Sequence, residues 1–262
     1  MTKKETYLTC SDGNIFEGMT SISAIIKKYE ESHICQKINK VVVDKAKMKS
    51  KSREIAFLKR KSAEMGFEIE FSTAEAIDKL TTGNTHGGII AICNPPSIPE
   101  LSENIDSIKS NGVYVMLDGI EDPYNFGYSV RSIYAAGCDG VILPCRNWMN
   151  VAGIVAKSSA GASELIDMYI SEPEEAIEAF KNKGYKIICS GIRNSVSMYD
   201  ADMTKPVLLI VGGEKRGISS AIEAKADVIA RVEYGREFKG SLSAASAATI
   251  MVYEIFRQNR SN

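Results

Sequence analysis

The chain has 262 residues, of which 44% are hydrophobic and 25% are charged, and its formal net charge is −1. This length can bury a substantial core and favours two domains, at roughly 150 residues per domain. No stretch approaches the roughly 20 apolar residues that cross a bilayer, and the start lacks the apolar core of a signal peptide, so we expect a cytoplasmic protein without membrane contact. The near-neutral charge argues against a protein that coats nucleic acid by charge alone.

The first hundred residues are predicted to form a compact α/β unit. The predicted strands lie at 38–45, 68–72 and 87–93, and the predicted helices at 54–67 and 74–83. Gly66 ends the first of these helices and is a candidate C-cap, and Gly83 ends the second. A linker with three prolines follows at 94–107. The sequence therefore predicts two domains, 1–97 and 108–262.

Positive charge is concentrated in the first predicted domain. Between Lys37 and Lys61 there are ten Lys or Arg residues against Asp44 and Glu54. Such a cluster can contact RNA phosphates, because neutralising phosphates releases counterions. A helix face that is merely solvated gives the same pattern, so both interpretations stay open.

The second domain alternates strands with helices. The predicted strands are 113–118, 140–143, 185–190, 207–211 and 228–232, and the predicted helices are 128–137, 150–161, 173–183 and 242–258. Apolar strands without a period of two indicate a parallel sheet that is covered on both faces. No Gly-x-Gly-x-x-Gly follows the first strand, which argues against an ordinary dinucleotide-binding enzyme.

The cysteines and histidines do not form a metal-binding pattern. Six cysteines occur without a CxxC pair, and the only histidines, His33 and His86, are far apart. Zinc sites require closely spaced ligands, so we expect no metal. The cysteines are interpreted as small buried hydrophobic residues in a reducing compartment.

Three motifs in the second half carry the functional signal. The first places Asn125, Gly127 and Arg131 after the apolar run 113–120, at a predicted strand-to-helix turn where ligands bind in α/β proteins. The second is Gly212, Glu214 and Gly217 after an apolar strand, and the third is Ser241, Leu242 and Ser243 before a helix rich in small residues. In this order the motifs resemble the TrmH (SpoU) branch of the SPOUT RNA methyltransferases, over roughly residues 111–258.

The resemblance implies a fold and an activity. It implies a parallel-sheet SPOUT domain with a trefoil knot, preceded by a ribosomal-protein-like α/β domain that binds the substrate. The segment Thr82 to Gly88 resembles the end of that preceding domain. The implied reaction transfers a methyl group from S-adenosyl-L-methionine to a ribose 2′-hydroxyl of RNA, with ribosomal RNA favoured over transfer RNA. The implied assembly is a homodimer through the catalytic domain.

The resemblance also implies roles for single residues. The implied catalytic residues are Asn125, Arg131, Glu214 and Ser241, and the implied cofactor-binding residues are Gly212, Gly213, Val232 and Leu242. Arg131 would act as the general base or as a fork of N–H donors that orients the ribose. Glu214 would order its loop or hold Arg131 in place. The two glycines would let the backbone approach the cofactor.

Departures from the family pattern keep two other functions open. Ser243 stands where the family has Asn, the strand end reads Val232-Glu233-Tyr234, and the loop to Ser241 is one residue longer. A catalytically silent RNA-binding relative would explain such changes. An unrelated doubly wound enzyme with a nucleotide cofactor is the other alternative. Lys215 and Arg216 are either RNA contacts or an exposed basic loop.

Overall fold

The structure is a computed structural model that describes residues 15–32, 38–81, 85–95, 97–144 and 151–260. Its strands are β1 (Ile15–Glu17), β2 (Ile38–Asp44), β3 (Glu68–Ser72), β4 (Ile89–Cys93), β5 (Val113–Asp118), β6 (Gly140–Leu143), β7 (Asp167–Ile170), β8 (Lys186–Ser190), β9 (Val196–Ser197), β10 (Val207–Gly212) and β11 (Val228–Arg231). Its helices are α1 (Gly18–Ser32), α2 (Ser52–Met65), α3 (Ala74–Asp78), α4 (Pro123–Ala135), α5 (Ala152–Ser158), α6 (Ala162–Leu165), α7 (Pro173–Asn182), α8 (Ser220–Glu223) and α9 (Ala244–Asn259).

The chain divides into two compact units. The first contains the described parts of 1–97 and 147–165, and the second contains those of 98–146 and 166–262. The segment 147–165 therefore differs from its predicted place in the second domain. It joins the first unit because α5 packs against β1, and because Ala152 and Ala156 belong to the same hydrophobic core as Phe16.

The first unit contains a four-stranded mixed sheet in the order β1-β4-β2-β3. Strands β2 and β3 are parallel, and β4 is antiparallel to both β1 and β2. The three predicted strands are confirmed, whereas β1 and α1 were not predicted. Gly66 ends α2 in the left-handed conformation, at φ 77°, which confirms the predicted C-cap. Lys37 and Gly83 lie outside the described residues.

The second unit is built on a parallel sheet of seven strands in the order β7-β6-β5-β10-β8-β11-β9. The predicted parallel α/β sheet is thus confirmed, although β7, β9 and α8 were not predicted. Its central strands are buried along most of their length, as residues covered on both faces must be. Strand β5 lies between β6 and β10, so the strand order reverses beside it. Such a reversal leaves a crevice at the carboxyl edge of the sheet.

Helix α4 begins five residues earlier than predicted. The Asp122 side chain accepts a hydrogen bond from the backbone N–H of Asn125 at 2.8 Å, and Pro123 occupies the first turn. Both are standard signals of a helix start. Asn125 therefore lies in the first turn, whereas Gly127 and Arg131 lie further along the helix and not in the strand-to-helix turn.

The described cysteines serve packing. Cys93, Cys138 and Cys189 are buried, and none of these three is in a disulfide. Burial raises the pKa of both Cys138 and Cys189 to about 12, so these two are neutral thiols at physiological pH. Among the helices in the described part of the chain, none has the length and apolar character that would allow it to cross a membrane.

Candidate active site

A cavity of about 480 Å³ lies at the carboxyl ends of β8, β10 and β11. Its walls are the loops that follow these strands, at 190–193, 212–218 and 231–242, together with one face of α9. Small-molecule sites typically have volumes of about 300–1,000 Å³ and occur at this edge of parallel sheets. The cavity is therefore the strongest candidate for a cofactor site in the second unit.

The loop after β10 is a tight turn in which two glycines are sterically required. A Cβ on Gly212 would lie 2.6 Å from the carbonyl carbon of Gly217, and a Cβ on Gly213 would lie 2.0 Å from the carbonyl oxygen of Gly119. The backbone N–H of Gly217 donates to the carbonyl of Gly213 at 2.9 Å and closes the turn. Both glycines line the cavity, and the protein's own backbone fills the space that a Cβ would need at either position.

Glu214 connects this turn to the start of α4. Its Oε1 accepts a hydrogen bond from Nδ2 of Asn125 at 3.0 Å. A second connection joins the same segments, because Lys215 Nζ lies 2.6 Å from Glu121 Oε2. Glu214 also lines a smaller cavity of about 140 Å³ that includes Asn125 and residues 119–122. Glu214 therefore lines both cavities.

The loop before α9 places two predicted residues at the cavity. Ser241 and Leu242 line it, and the next residue, Ser243, caps the helix by accepting a hydrogen bond from the N–H of Ser246 at 3.2 Å. The backbone N–H of Leu242 donates to the Tyr234 hydroxyl at 3.2 Å. Ser and Asn are equally good N-caps, so the departure at 243 preserves the start of the helix.

The structure brings most of the predicted site residues together. Those that line the cavity are Gly212, Gly213, Glu214, Val232, Ser241 and Leu242. Asn125 is joined to them by Glu214. Arg131 is exposed on α4, does not line the cavity, and makes no hydrogen bond or ion pair with any residue that the structure describes. Of the two roles considered for Glu214, the structure shows no contact with Arg131 among the described residues, and its hydrogen-bond partner is Asn125.

Three charged residues at the cavity were not predicted. Arg193, Glu223 and Arg231 line it, and Arg231 also pairs with Glu233 at 3.5 Å. The sequence could have indicated the two arginines, because both lie at or just after the carboxyl ends of predicted strands, where binding sites of parallel sheets form. Glu223 lies in the short helix α8 and had no comparable signal.

Residues 112–253, more than half of the chain, match the SpoU rRNA Methylase family. The chain belongs to this family. It is accordingly an RNA methyltransferase of the SpoU class, which confirms the resemblance to the TrmH (SpoU) branch. The family depends on S-adenosyl-L-methionine, as predicted. The alternative of an unrelated doubly wound enzyme is excluded.

Known relatives agree with this family membership. A Staphylococcus saprophyticus protein assigned to the TrmH family of tRNA/rRNA methyltransferases is 29% identical, covering 84% of this chain and 88% of the relative. The AdoMet-bound rRNA methyltransferase from Sinorhizobium meliloti aligns with a TM-score of 0.74 at 23% identity, over 93% of this chain and 86% of that chain. The SpoU methyltransferase AviRb from Streptomyces viridochromogenes, in complex with AdoMet, aligns with a TM-score of 0.75 at 19% identity, over 95% and 91%. At these identities the two structures support the fold.

Proposed function

We propose that this SpoU-class enzyme transfers a methyl group from S-adenosyl-L-methionine to a ribose 2′-hydroxyl, in ribosomal RNA in preference to transfer RNA. The observation that carries the proposal is the hydrogen bond between Asn125 and Glu214 at the border of the two cavities. The preference for ribosomal RNA rests on the separate N-terminal α/β unit, by analogy with the substrate-binding domain that the resemblance implies.

The larger cavity suits this cofactor chemically. Val232, Leu242 and Met251 give it an apolar wall for the adenine. Glu214 and Glu223 can face the cationic groups of the cofactor, and the arginines that line the cavity can face its carboxylate. When bound, S-adenosyl-L-methionine supplies a methyl group activated by a sulfonium. The protein then has to hold the cofactor, orient the ribose and assist loss of the hydroxyl proton.

Glu214 is placed to act toward the ribose. Asn125 occupies one of its carboxylate oxygens, and the other has no hydrogen-bond partner in the part of the chain that the structure describes. A fixed carboxylate with a free oxygen can accept a hydrogen bond from a hydroxyl. We therefore assign Asn125 to the orientation of Glu214, and Glu214 to contact with the acceptor.

The exposed position of Arg131 supports a homodimer in which the site is shared. Arg131, Tyr124 and Tyr128 have the spacing of one face of α4, and both tyrosines are about half exposed. On α9, Tyr253 and Phe256 are also exposed and form an edge-to-face pair at 6.2 Å. The two helices pack together, and exposed aromatic residues on neighbouring helices are typical of an interface.

In this proposal, α4 and α9 form the dimer contact, with Ile250 beside the aromatic pair, and Arg131 of each copy completes the site of the other. The trefoil knot is also part of the proposal. Its support is that the loops after β8, β10 and β11 all meet at one cavity.

The proposed reaction predicts a defined product. We expect the purified chain to transfer labelled methyl groups from S-adenosyl-L-methionine to ribosomal RNA, in linkages that resist alkaline hydrolysis because the 2′-oxygen is blocked. Ribosomal RNA and transfer RNA, each isolated from a deletion strain, are assayed separately. Label that enters a base, or transfer RNA alone, would contradict the proposal. Cofactor binding without transfer to either RNA would favour the silent relative.

Ion pairs distinguish some basic residues of the first unit from others as candidates for RNA contact. Within the basic cluster, Lys40 pairs with Glu70 at 2.9 Å and Lys51 pairs with Glu54 at 3.0 Å. Lys61 is paired with two glutamates. In contrast, three lysines in and just after a short 3-10 helix are exposed and have no ion pair among the described residues: Lys45, Lys47 and Lys49. We propose that these three contact RNA phosphates.

Reversing the charge of these lysines should weaken RNA binding. We expect the triple change Lys45→Glu, Lys47→Glu and Lys49→Glu to lower RNA affinity, and to reduce the salt dependence of the binding constant by roughly one log–log unit for each phosphate that is no longer neutralised. Binding of S-adenosyl-L-methionine should be unchanged. Filter binding over a salt series measures the first two quantities, and calorimetry measures the third.

A matched control has the same change in net charge. It reverses three exposed lysines elsewhere in the chain, Lys79, Lys205 and Lys225. If RNA affinity falls by the same factor in both triple variants, the loss is caused by net charge alone. The lysines at 45–49 are then solvent-exposed residues without a specific RNA contact.

A further inference from the structure

The loop between β11 and α9 carries two exposed aromatic side chains beside the cavity. Tyr234, which lines the cavity, is 36% exposed, and Phe238 is 55% exposed. Their ring centroids are 5.6 Å apart, with an angle of 64° between the ring planes. The two rings contact each other, and both still expose part of their surface to solvent.

The loop itself holds this aromatic pair in place. The Tyr234 hydroxyl accepts a hydrogen bond from the backbone N–H of Leu242, which fixes that ring to the cavity wall. The Phe238 ring lies against Gly240, so closely that a Cβ at position 240 would be 2.6 Å from it. The pair is therefore preformed, which reduces the entropic cost of binding a ligand.

Unpaired positive charge lies on the same cavity wall and in the same loop as the aromatic pair. Arg193 and Arg216 line the cavity, and Arg236 and Lys239 flank Phe238 in sequence. All four are exposed, and none makes a hydrogen bond or ion pair within the described ranges. The loop also holds two acidic residues, of which Glu233 is paired with Arg231 and Glu237 is the other.

Exposed aromatic rings among free cations indicate a nucleic-acid ligand. Unpaired RNA bases stack on aromatic side chains, and arginine and lysine hold the adjacent phosphates. A protein partner would require a larger continuous apolar surface than two rings in an exposed loop provide. The loop is also where the sequence departs from the family pattern, at Val232-Glu233-Tyr234 and in its length.

We propose that Tyr234 and Phe238 form a stacking site for an unpaired base of the substrate RNA, at the entrance of the cofactor cavity. This inference rests on the proposed function, because it takes RNA as the substrate of the same site. Arg193, Arg216 and Arg236 would contact the phosphates on either side of the stacked base. The pair would then select a nucleotide that is single-stranded, since a base inside a duplex cannot reach the ring of Phe238.

Three substitutions at one position separate stacking from simple apolar contact. Phe238→Ala and Phe238→Leu should each weaken the Kd for RNA by about tenfold, which corresponds to about 1.4 kcal/mol. Phe238→Trp should keep the Kd within about twofold, because it retains an aromatic face. The probe is a short single-stranded RNA that contains 2-aminopurine, whose fluorescence is quenched on stacking. Calorimetry with S-adenosyl-L-methionine should give the same affinity for all three variants.

The control is Tyr199→Ala, which removes a ring that is 58% exposed and does not line the cavity. It should leave the Kd and the quenching unchanged. A Phe238→Leu variant that binds as well as wild type would overturn the stacking proposal. Unchanged RNA binding by Phe238→Ala would also overturn it. In that case a protein would be the remaining candidate ligand of the loop.

The outcomes also distinguish this proposal from the proposed function. If wild type methylates ribosomal RNA and Phe238→Ala keeps the wild-type KM for that RNA, the stacking site is refuted and the enzyme assignment stands. If wild type quenches the probe in a Phe238-dependent manner but transfers no methyl group to any RNA, the enzyme assignment fails and the stacking site is supported.

Discussion

Replacing Arg131 with alanine is expected to lower kcat for methyl transfer by about a thousandfold or more, while the Kd for S-adenosyl-L-methionine stays within about threefold. The two effects separate because Arg131 does not line the candidate cofactor cavity and is exposed. Stability should change little, since the side chain is exposed and has no partner among the described residues. Single-turnover kinetics, calorimetry and thermal melting measure the three quantities.

A mixing experiment tests whether Arg131 acts across a dimer. Leu242→Arg places a charge in the apolar wall of the cavity and should abolish cofactor binding. Each variant alone should be inactive. In a mixture, a dimer of one Arg131→Ala chain and one Leu242→Arg chain has one intact shared site, so about a quarter of wild-type activity should return.

Three results would contradict the assignment of Arg131. One is more than about a tenth of wild-type turnover in Arg131→Ala, since a group essential in the transition state contributes more than that. Another is a monomer in sedimentation at micromolar concentration. The third is full activity of Arg131→Lys, because a lysine lacks the planar fork of donors that orients a ribose or phosphate.

Substituting Gly213 with alanine is expected to abolish cofactor binding and to lower the free energy of unfolding by about 2–4 kcal/mol. The added Cβ would lie 2.0 Å from the Gly119 carbonyl oxygen. The backbone fixes the position of a Cβ, and the group that it meets is backbone, so the loops after β5 and β10 must separate. That separation would also strain the hydrogen bond between Asn125 and Glu214. Denaturant unfolding and calorimetry measure the two effects.

Gly235→Ala is the matched control for this substitution. Gly235 is in the loop before α9, and a Cβ there would have no atom within 4 Å. We expect its free energy of unfolding to stay within about 0.5 kcal/mol of wild type. If Gly213→Ala behaves like Gly235→Ala, the close approach of the two loops does not constrain the site.

Much of the second unit could be predicted because its strands are continuous apolar runs. Strands β5 and β6 begin and end at the predicted residues, and β8, β10 and β11 differ by one residue. Strand β7 was missed because Asp167–Ile170 is short and only partly buried. The placement of 147–165 with the first unit depends on contacts with β1 and α1, far away in sequence, which periodicity does not reveal.

The residues of the candidate site were taken from the resemblance to the family, and the rule that parallel strands end at one edge of the sheet explains why they meet. That rule brings Glu214 and Ser241 to the same cavity, as the structure shows. It does not decide which α4 side chain reaches Glu214. Because α4 starts five residues earlier than predicted, Asn125 and Arg131 lie on other turns of the helix than the sequence indicated. The hydrogen bond between Asn125 and Glu214 could therefore be found only from the three-dimensional structure.

The close packing around Gly212 and Gly213 affects what these two glycines indicate when the sequences of relatives are compared. Both positions tolerate only glycine because backbone fills the space beside them, whether or not a methyl group is ever transferred. A descendant without activity would therefore keep both glycines in order to fold. The two glycines in a related sequence therefore indicate that the fold is kept. Asn125, Glu214 and Arg131 are the residues that a relative should retain if it is still selected for methyl transfer.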